Sequence, residues 1–134
     1  MQVLATANNI RVTPQKVRLV VAQIKKMKPQ KALEILEFTP QKAATPLKKV
    51  IMSAVANAKN NFNLDEESLE FATINVGKGM VFKRFRPVSR GRAHAILKVT
   101  SNIRIVLEGQ KAKVAKAPVA IKEEDKEAKN GTKS

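Results

Sequence analysis

The 134-residue sequence contains no cysteine, tryptophan or tyrosine, and it has a single histidine. Without cysteine the chain cannot form a disulfide, a thiolate nucleophile or a cysteine-based zinc site. The histidine, His94, has its nearest carboxylates in sequence at Glu70 and Glu108, so no general base, nucleophile or metal-ligand set can be assembled. We therefore predict that the chain is not an enzyme and has no catalytic residue, metal or cofactor.

Long apolar runs are also absent. The amino-terminal stretch "MQVLATANN" has no basic segment followed by an apolar run, so we expect neither a signal peptide nor a membrane-spanning segment. No long amphipathic helix carries Trp or Phe along one face, which argues against attachment to a membrane surface. We expect a cytosolic protein with no membrane partner.

Acidic residues are scarce, and one long segment has none. The chain has 26 Lys and Arg against 11 Asp and Glu, a formal net charge of +15. No acid occurs between Phe71 and Leu107, whereas residues 77–104 carry eight cations: Lys78, Lys83, Arg84, Arg86, Arg90, Arg92, Lys98 and Arg104. Repulsion of this size opposes compaction unless a polyanion supplies counter-charge, which makes nucleic acid the first candidate partner.

The first part of the chain combines one strand with helical periodicity. Residues 2–11 have the β-branched and alternating positions typical of a short strand. Thr13 and Pro14 form a helix start, and "PQKALEILEF" predicts a second helix from Pro29. The positions expected to be buried are Val17, Val20, Val21, Ile24 and Met27 in the first helix, and Leu33 and Leu36 in the second.

Two Thr-Pro pairs compete to start the third helix. A helix beginning at Pro40 would contain Pro46, which removes a backbone hydrogen bond and costs about 3 kcal/mol. The sequence therefore predicts a kink or a restart at Thr45. The stripe expected to be buried beyond that point comprises Leu47, Val50, Ile51, Ala54, Val55 and Ala58.

Strand periodicity follows in the second half. The runs "LEFATINV" and "AHAILKVTSNIRIVL" predict a hairpin, whose arm over residues 76–86 would extend about 30 to 35 Å. Pro87 and Gly91 bracket its turn, and "GKG" at residues 77–79 predicts a bend where the hairpin leaves the domain. We expect an α+β domain over residues 1–108 that includes a hairpin at about 77–104, and a disordered charged tail over residues 109–134.

A hairpin with so much like charge is marginal in water. Phosphates along it would reverse the repulsion, and four arginines suited to phosphate lie near its tip: Arg84, Arg86, Arg90 and Arg92. Phe82 and Phe85 differ in strand parity and so face opposite sides, where they either contact RNA bases or pack the hairpin root on the domain. The other interpretation of the charge run is a solvated basic loop.

Three stretches resemble a known family. "RVTPQKVRLV" from residue 11 resembles its strand-to-helix junction, and "SAVANAKNN" from residue 53 resembles its third helix. "FKRFRPVSRGRAHAILKVTSNIRIVL" from residue 82 has Arg90, Gly91 and Arg92 at the family's spacing. Over about residues 5–107 the sequence is similar to the L twenty-two family of bacterial large-subunit ribosomal proteins.

Two positions depart from that family's pattern. A basic residue usually follows the hairpin proline, where this chain has Val88, and Arg86 on the other side of the proline is available to replace it. Pro46 lies within a helix that is continuous in the family, which fits the kink or restart expected there.

The resemblance implies three helices packed on a small antiparallel sheet, with a long protruding β-hairpin. It implies a structural constituent of the large ribosomal subunit that binds the subunit's ribosomal RNA, supports its assembly and lines the nascent-polypeptide exit tunnel with its hairpin tip. The expected partners are large-subunit ribosomal RNA, neighbouring ribosomal proteins and the nascent polypeptide, on cytoplasmic ribosomes. The alternative is a general basic RNA- or DNA-binding protein that acts as a chaperone or in compaction.

The expected sites come from the resemblance and from charge. The resemblance assigns RNA contacts to Lys16, Arg18, Lys83, Arg84, Arg90 and Arg92, and charge alone adds Lys78, Arg86 and Lys98. The tip expected to line the tunnel comprises Arg86, Pro87, Val88, Ser89, Arg90, Gly91 and Arg92.

Overall fold

Three helices cover one face of a three-stranded antiparallel sheet in the computed structural model, which describes residues 1–110. The helices are α1 (Pro14–Ile24), α2 (Pro29–Phe38) and α3 (Ala44–Phe62), and the strands are β1 (Gln2–Ile10), β2 (Glu70–Pro87) and β3 (Ala93–Glu108). Short 3-10 turns lie at Glu66–Ser68 and Ser89–Gly91. The predicted α+β architecture is confirmed. Of the predicted tail over residues 109–134, all but Gly109 and Gln110 lie outside the described residues.

The sheet has β3 at its centre, between β1 and β2. β1 pairs with β3 from Gln2 opposite Glu108 to Ile10 opposite Ser101. β2 continues to pair with β3 as far as Pro87 opposite Ala93. The sheet is therefore three-stranded up to Ser101 and continues beyond it as a two-stranded ribbon, which we call the outer hairpin (residues 81–99).

The core lies between the helices and one face of the sheet. Alternate residues of β3 point into it, and Ile103, Ile105 and Leu107 are almost fully buried, as the period of two in a strand requires. Each such side chain contributes about 1.5–3 kcal/mol by leaving water. The helical stripes that meet this face include Val17, Val20, Val21 and Ile24 of α1, and Leu47, Val50, Ile51, Ala54 and Ala58 of α3.

Three of the residues expected to be buried are not fully buried: Met27, Leu33 and Val55. α1 ends at Ile24, and Met27 belongs to the turn that leads into α2, where its side chain is 39% exposed. Pro29 at the start of α2 disfavours a helical Lys28, so α1 cannot continue through this turn. In α2 Leu36 is buried as predicted, Leu33 packs against the core while only partly buried, and Ala32 is buried as well. In α3 Val55 is likewise only partly buried.

Two of the three helices start at a proline. Pro14 and Pro29 occupy the first helical positions, as predicted, but Thr13 makes no side-chain capping hydrogen bond. α3 starts at Ala44, within one residue of the predicted restart, and no helix begins at Pro40. Pro46 therefore falls in the first turn, where its missing amide hydrogen would have had no acceptor within the helix. Among residues 1–110 no helix is long and apolar enough to cross a bilayer.

The end of α3 yields a stability prediction. Asn63 terminates the helix in the left-handed conformation at φ 50° and ψ 43°. We expect Asn63→Gly to raise the free energy of unfolding by about 0.5 kcal/mol, because glycine lacks the Cβ that crowds this conformation, and Asn63→Ala to lower it by about 1 kcal/mol. Urea denaturation of the full chain measures both, and equal stabilities for the two variants would contradict the assignment.

Candidate nucleic-acid interface

The outer hairpin has no core of its own. Every residue from 83 to 98 is exposed to solvent, whereas the three-stranded part of the sheet buries alternate residues of β3. Even large apolar side chains are open to water here, since Phe85 is 78% and Leu97 is 60% exposed. Between residues 83 and 98 neither face of the ribbon is covered by the helical domain, so both faces are available to a partner.

The cations of the hairpin have no carboxylate partner among residues 1–110. The two ion pairs in this part of the chain lie elsewhere: Lys48 contacts Glu37 at 3.2 Å and Lys59 contacts Glu66 at 2.8 Å. The hydrogen bond to Glu66, and the charge of its carboxylate, raise the pKa of Lys59. The two acids that form ion pairs thus neutralise helical lysines, and the positive charge of the hairpin is left uncompensated among the described residues.

The register sorts the hairpin cations by face. In an antiparallel ribbon, directly opposed residues share a face, and Phe82 lies opposite Lys98, Arg84 opposite Ile96 and Arg86 opposite His94. One face therefore carries Phe82, Arg84, Arg86 and Lys98. Lys83 and Phe85 occupy the other face, so the register confirms that the two phenylalanines face opposite sides.

The two phenylalanines have different environments. Phe82 is half-buried, and the guanidinium carbons of Arg11 and Arg84 lie over its ring, 5.8 and 5.7 Å from the centroid. At these distances each cation is attracted to the ring electrons. We call this group the Arg11–Phe82–Arg84 cluster. Phe82 thus packs the hairpin root against the domain, while Phe85 is left exposed.

The tip is a tight turn over the Ser89–Gly91 segment. The amide of Val88 donates to the carbonyl oxygen of Arg92 at 2.8 Å, which closes the turn. Gly91 has φ +70°, the positive angle expected of it, and Arg90 also adopts the left-handed region at φ 59°. For a residue with a side chain this conformation costs about 1–2 kcal/mol. Every residue of the predicted tunnel-lining tip is exposed, from Arg86 to Arg92.

The two predicted RNA-contacting residues of α1 lie near the hairpin root. Arg18 donates from Nη2 to the carbonyl oxygen of Val76 at 2.9 Å, so its guanidinium also ties α1 to β2. Lys78 lies opposite Ser101, at the last level of the three-stranded sheet, and is exposed. Lys16 lines a groove between α1 and the hairpin root.

This groove has a volume of about 810 Å³ and is bounded by α1, residues 41–43 and the hairpin root. Five cations and no acid line it: Arg11, Lys16, Lys42, Arg84 and Lys98. It brings together three of the predicted RNA-contacting residues, whereas the tip residues lie apart from it. Arg11 and Lys42 were not among the predicted RNA-contacting residues. Arg11 is the first residue of the "RVTPQKVRLV" motif, so the motif could have identified it.

A network of polar side chains fixes the point where the hairpin leaves the sheet. The backbone amide of Asn9 donates to Oδ1 of Asn102 at 2.8 Å. The side-chain Oδ1 of Asn9 accepts from the backbone amide of Met80 at 3.2 Å. Thr100 donates from Oγ1 to the Met80 carbonyl at 2.7 Å. These contacts lie where the register of both outer strands shifts, between Ala7 and Ile10 and between Lys78 and Val81. The second irregularity coincides with the predicted "GKG" bend.

Similarity to known proteins agrees with this geometry. The family model described as Ribosomal protein L22p/L17e matches residues 5–108. The chain belongs to this family. It is 43% identical over 108 residues to the "Large ribosomal subunit protein uL22" of Clostridium novyi (strain NT), an alignment that covers 81% of this chain and 97% of that protein.

Family membership confirms the resemblance read from the motifs, and the matched range agrees with the predicted one to within one residue. The chain is therefore a structural constituent of the large ribosomal subunit, and it belongs to a structural rather than an enzymatic family. Within residues 1–110, no three His, Cys, Asp or Glu side chains are grouped so that they could hold a metal ion.

The hairpin root gives a prediction with a matched control. A β-carbon on Gly79 would lie 2.6 Å from Oγ1 of Thr100 and 2.8 Å from Oδ1 of Asn102, the atoms that hold the root, whereas on Gly77 its nearest neighbour would be 4.0 Å away. We expect Gly79→Ala to lower the free energy of unfolding by about 1–3 kcal/mol and Gly77→Ala to change it by less than about 0.5 kcal/mol. Urea midpoints measure both, and similar losses in the two variants would refute the role of the root contacts.

Proposed function

We propose that this protein binds large-subunit ribosomal RNA through its hairpin and α1, supports assembly of the subunit, and lines the nascent-polypeptide exit tunnel with its hairpin tip. The observation that carries the proposal is the outer hairpin, which is exposed on both faces and contains no acid. Among the described residues its cations have no ion-pair partner. RNA is the partner of this particle that supplies negative charge along an extended path.

The physical driving force is charge neutralisation. Phosphates placed along the ribbon convert mutual repulsion between cations into attraction, and they release condensed counterions as each phosphate is neutralised. The face that carries Arg84, Arg86 and Lys98 continues into the groove beside α1, where Arg11 and Lys16 extend the positive surface. RNA that followed this track would contact the hairpin and the domain at once.

Assembly and tunnel lining follow from the same geometry. A ribbon without a core becomes ordered only when a partner surrounds it, so its ordering would be coupled to folding of the RNA around it. The tip lies at the far end of this ribbon, with Val88 53% exposed and Arg90 and Gly91 both left-handed. Such a tip presents side chains beyond the RNA-bound arm, where they would meet the nascent polypeptide, while the domain is left to contact neighbouring ribosomal proteins.

Charge-matched variants separate this function from general polycation binding. Replacing Arg84, Arg90 and Arg92 together with Ala removes three hairpin charges, and we expect the slope of log K against log salt for large-subunit RNA to become less steep by about two units. The control removes the same charge from the helical domain through Lys25→Ala, Lys26→Ala and Lys31→Ala. Filter-binding titrations of the full chain measure both slopes.

The control decides between the two functions. A hairpin-specific interface predicts a smaller change in slope for the lysine variant than for the arginine variant. Equal changes would favour the alternative, a general RNA or DNA chaperone or compaction protein. An unchanged slope in the arginine variant would refute RNA binding by the hairpin.

A further inference from the structure

The groove beside the hairpin root combines charge with apolar surface in a way that a phosphate backbone alone does not require. Leu19 lines it from α1 and is 66% exposed, and the half-buried ring of Phe82 lines it from β2. These side chains lie among five cations. On the side of Ser101 nearer the hairpin tip, over residues 93–100, no strand pairs with the β1 edge of β3. The groove therefore opens beside an uncovered part of the sheet.

The mixture points to RNA that is not base-paired. A double helix presents phosphates and riboses outward and keeps its bases stacked inside. It would meet the cations of the groove but leave Leu19 and Phe82 without an apolar partner. An unpaired nucleotide offers a phosphate for the cations and a flat base that stacks on aromatic rings or guanidinium planes.

We propose that this groove binds an unpaired nucleotide of the ribosomal RNA. The base lies against Leu19 and the Arg11–Phe82–Arg84 cluster, and the adjoining phosphates lie against Lys16, Lys42 and Lys98. The inference rests on the proposed function and adds to it a site for a single extruded base. RNA fits better than an acidic protein segment because the positive surface continues from the groove along the hairpin to Arg86, as a polynucleotide backbone requires.

The test uses large subunits reconstituted with the full chain and with single variants. Leu19→Ser and Phe82→Leu alter the groove without changing charge. Met52→Ser, at a 52% exposed residue of α3, and Phe85→Leu, on the opposite face of the hairpin, are the matched controls. Dimethyl sulfate and 2′-hydroxyl acylation report which nucleotides each variant leaves unprotected.

We expect both groove variants to lose protection at the same unpaired nucleotide or short unpaired segment, and both controls to keep it. Because Leu19 lies on the surface, its variant keeps the fold and carries the test even if Phe82→Leu is unstable. Loss of protection at paired nucleotides only, or no loss in a stoichiometrically assembled Leu19→Ser subunit, overturns the proposal.

A second measurement on wild-type subunits addresses the occupant directly. Carbodiimide cross-linking, which joins lysine amines to activated carboxylates, followed by mass spectrometry tests for an acidic protein segment within reach of Lys16 and Lys42. A consistent cross-link from both lysines to one acidic protein segment would replace the nucleotide as the occupant. The RNA-binding function is tested separately. The groove variants should leave the slope of log K against log salt unchanged, whereas the triple arginine variant should make it less steep.

Discussion

Repulsion between like charges along the hairpin is the constraint on which the rest of this molecule depends. The helices and the three-stranded sheet bury a continuous apolar core and need no partner for it. The outer hairpin buries almost nothing, carries no acid and makes no ion pair with the other described residues. An isolated two-stranded ribbon is marginal even when it is neutral. The outer hairpin therefore has little stabilisation of its own, and in our proposal a polyanion supplies it.

The ribbon has no core of its own, and the domain holds it in place only at its root. Asn9, Asn102 and Thr100 fix the position at which two strands continue without the third. The Arg11–Phe82–Arg84 cluster attaches the first residues of the ribbon to the domain. Because these contacts hold the root, the arm leaves the domain in a defined direction, and its cations lie along that direction without ion-pair partners among the described residues. This division lets one small domain serve as an anchor for the arm, which in our proposal reaches through RNA.

The sequence predicted those parts of the fold that follow from local periodicity and missed those that depend on distant contacts. Burial imposes a period of 3.6 on helices and of 2 on strands, so the helices, the strands and most of the core could be read directly. The Asn9–Asn102 contact joins residues 93 positions apart and leaves no local pattern. Met27 continued the helical stripe, but the turn before Pro29 ended the helix first. Charge and motif identified Lys16, Arg84 and Lys98, whereas Lys42 joins them only through tertiary packing.

Amide hydrogen exchange of the full chain, free in dilute buffer and assembled in the large subunit, tests the dependence of the hairpin on RNA most directly. Residues 101–108 of β3 belong to the core sheet and provide the internal reference. The account predicts that amides of residues 83–98 exchange much faster than this reference in the free chain and become protected in the subunit. Protection of residues 83–98 equal to that of the reference in the free, RNA-less protein would contradict it.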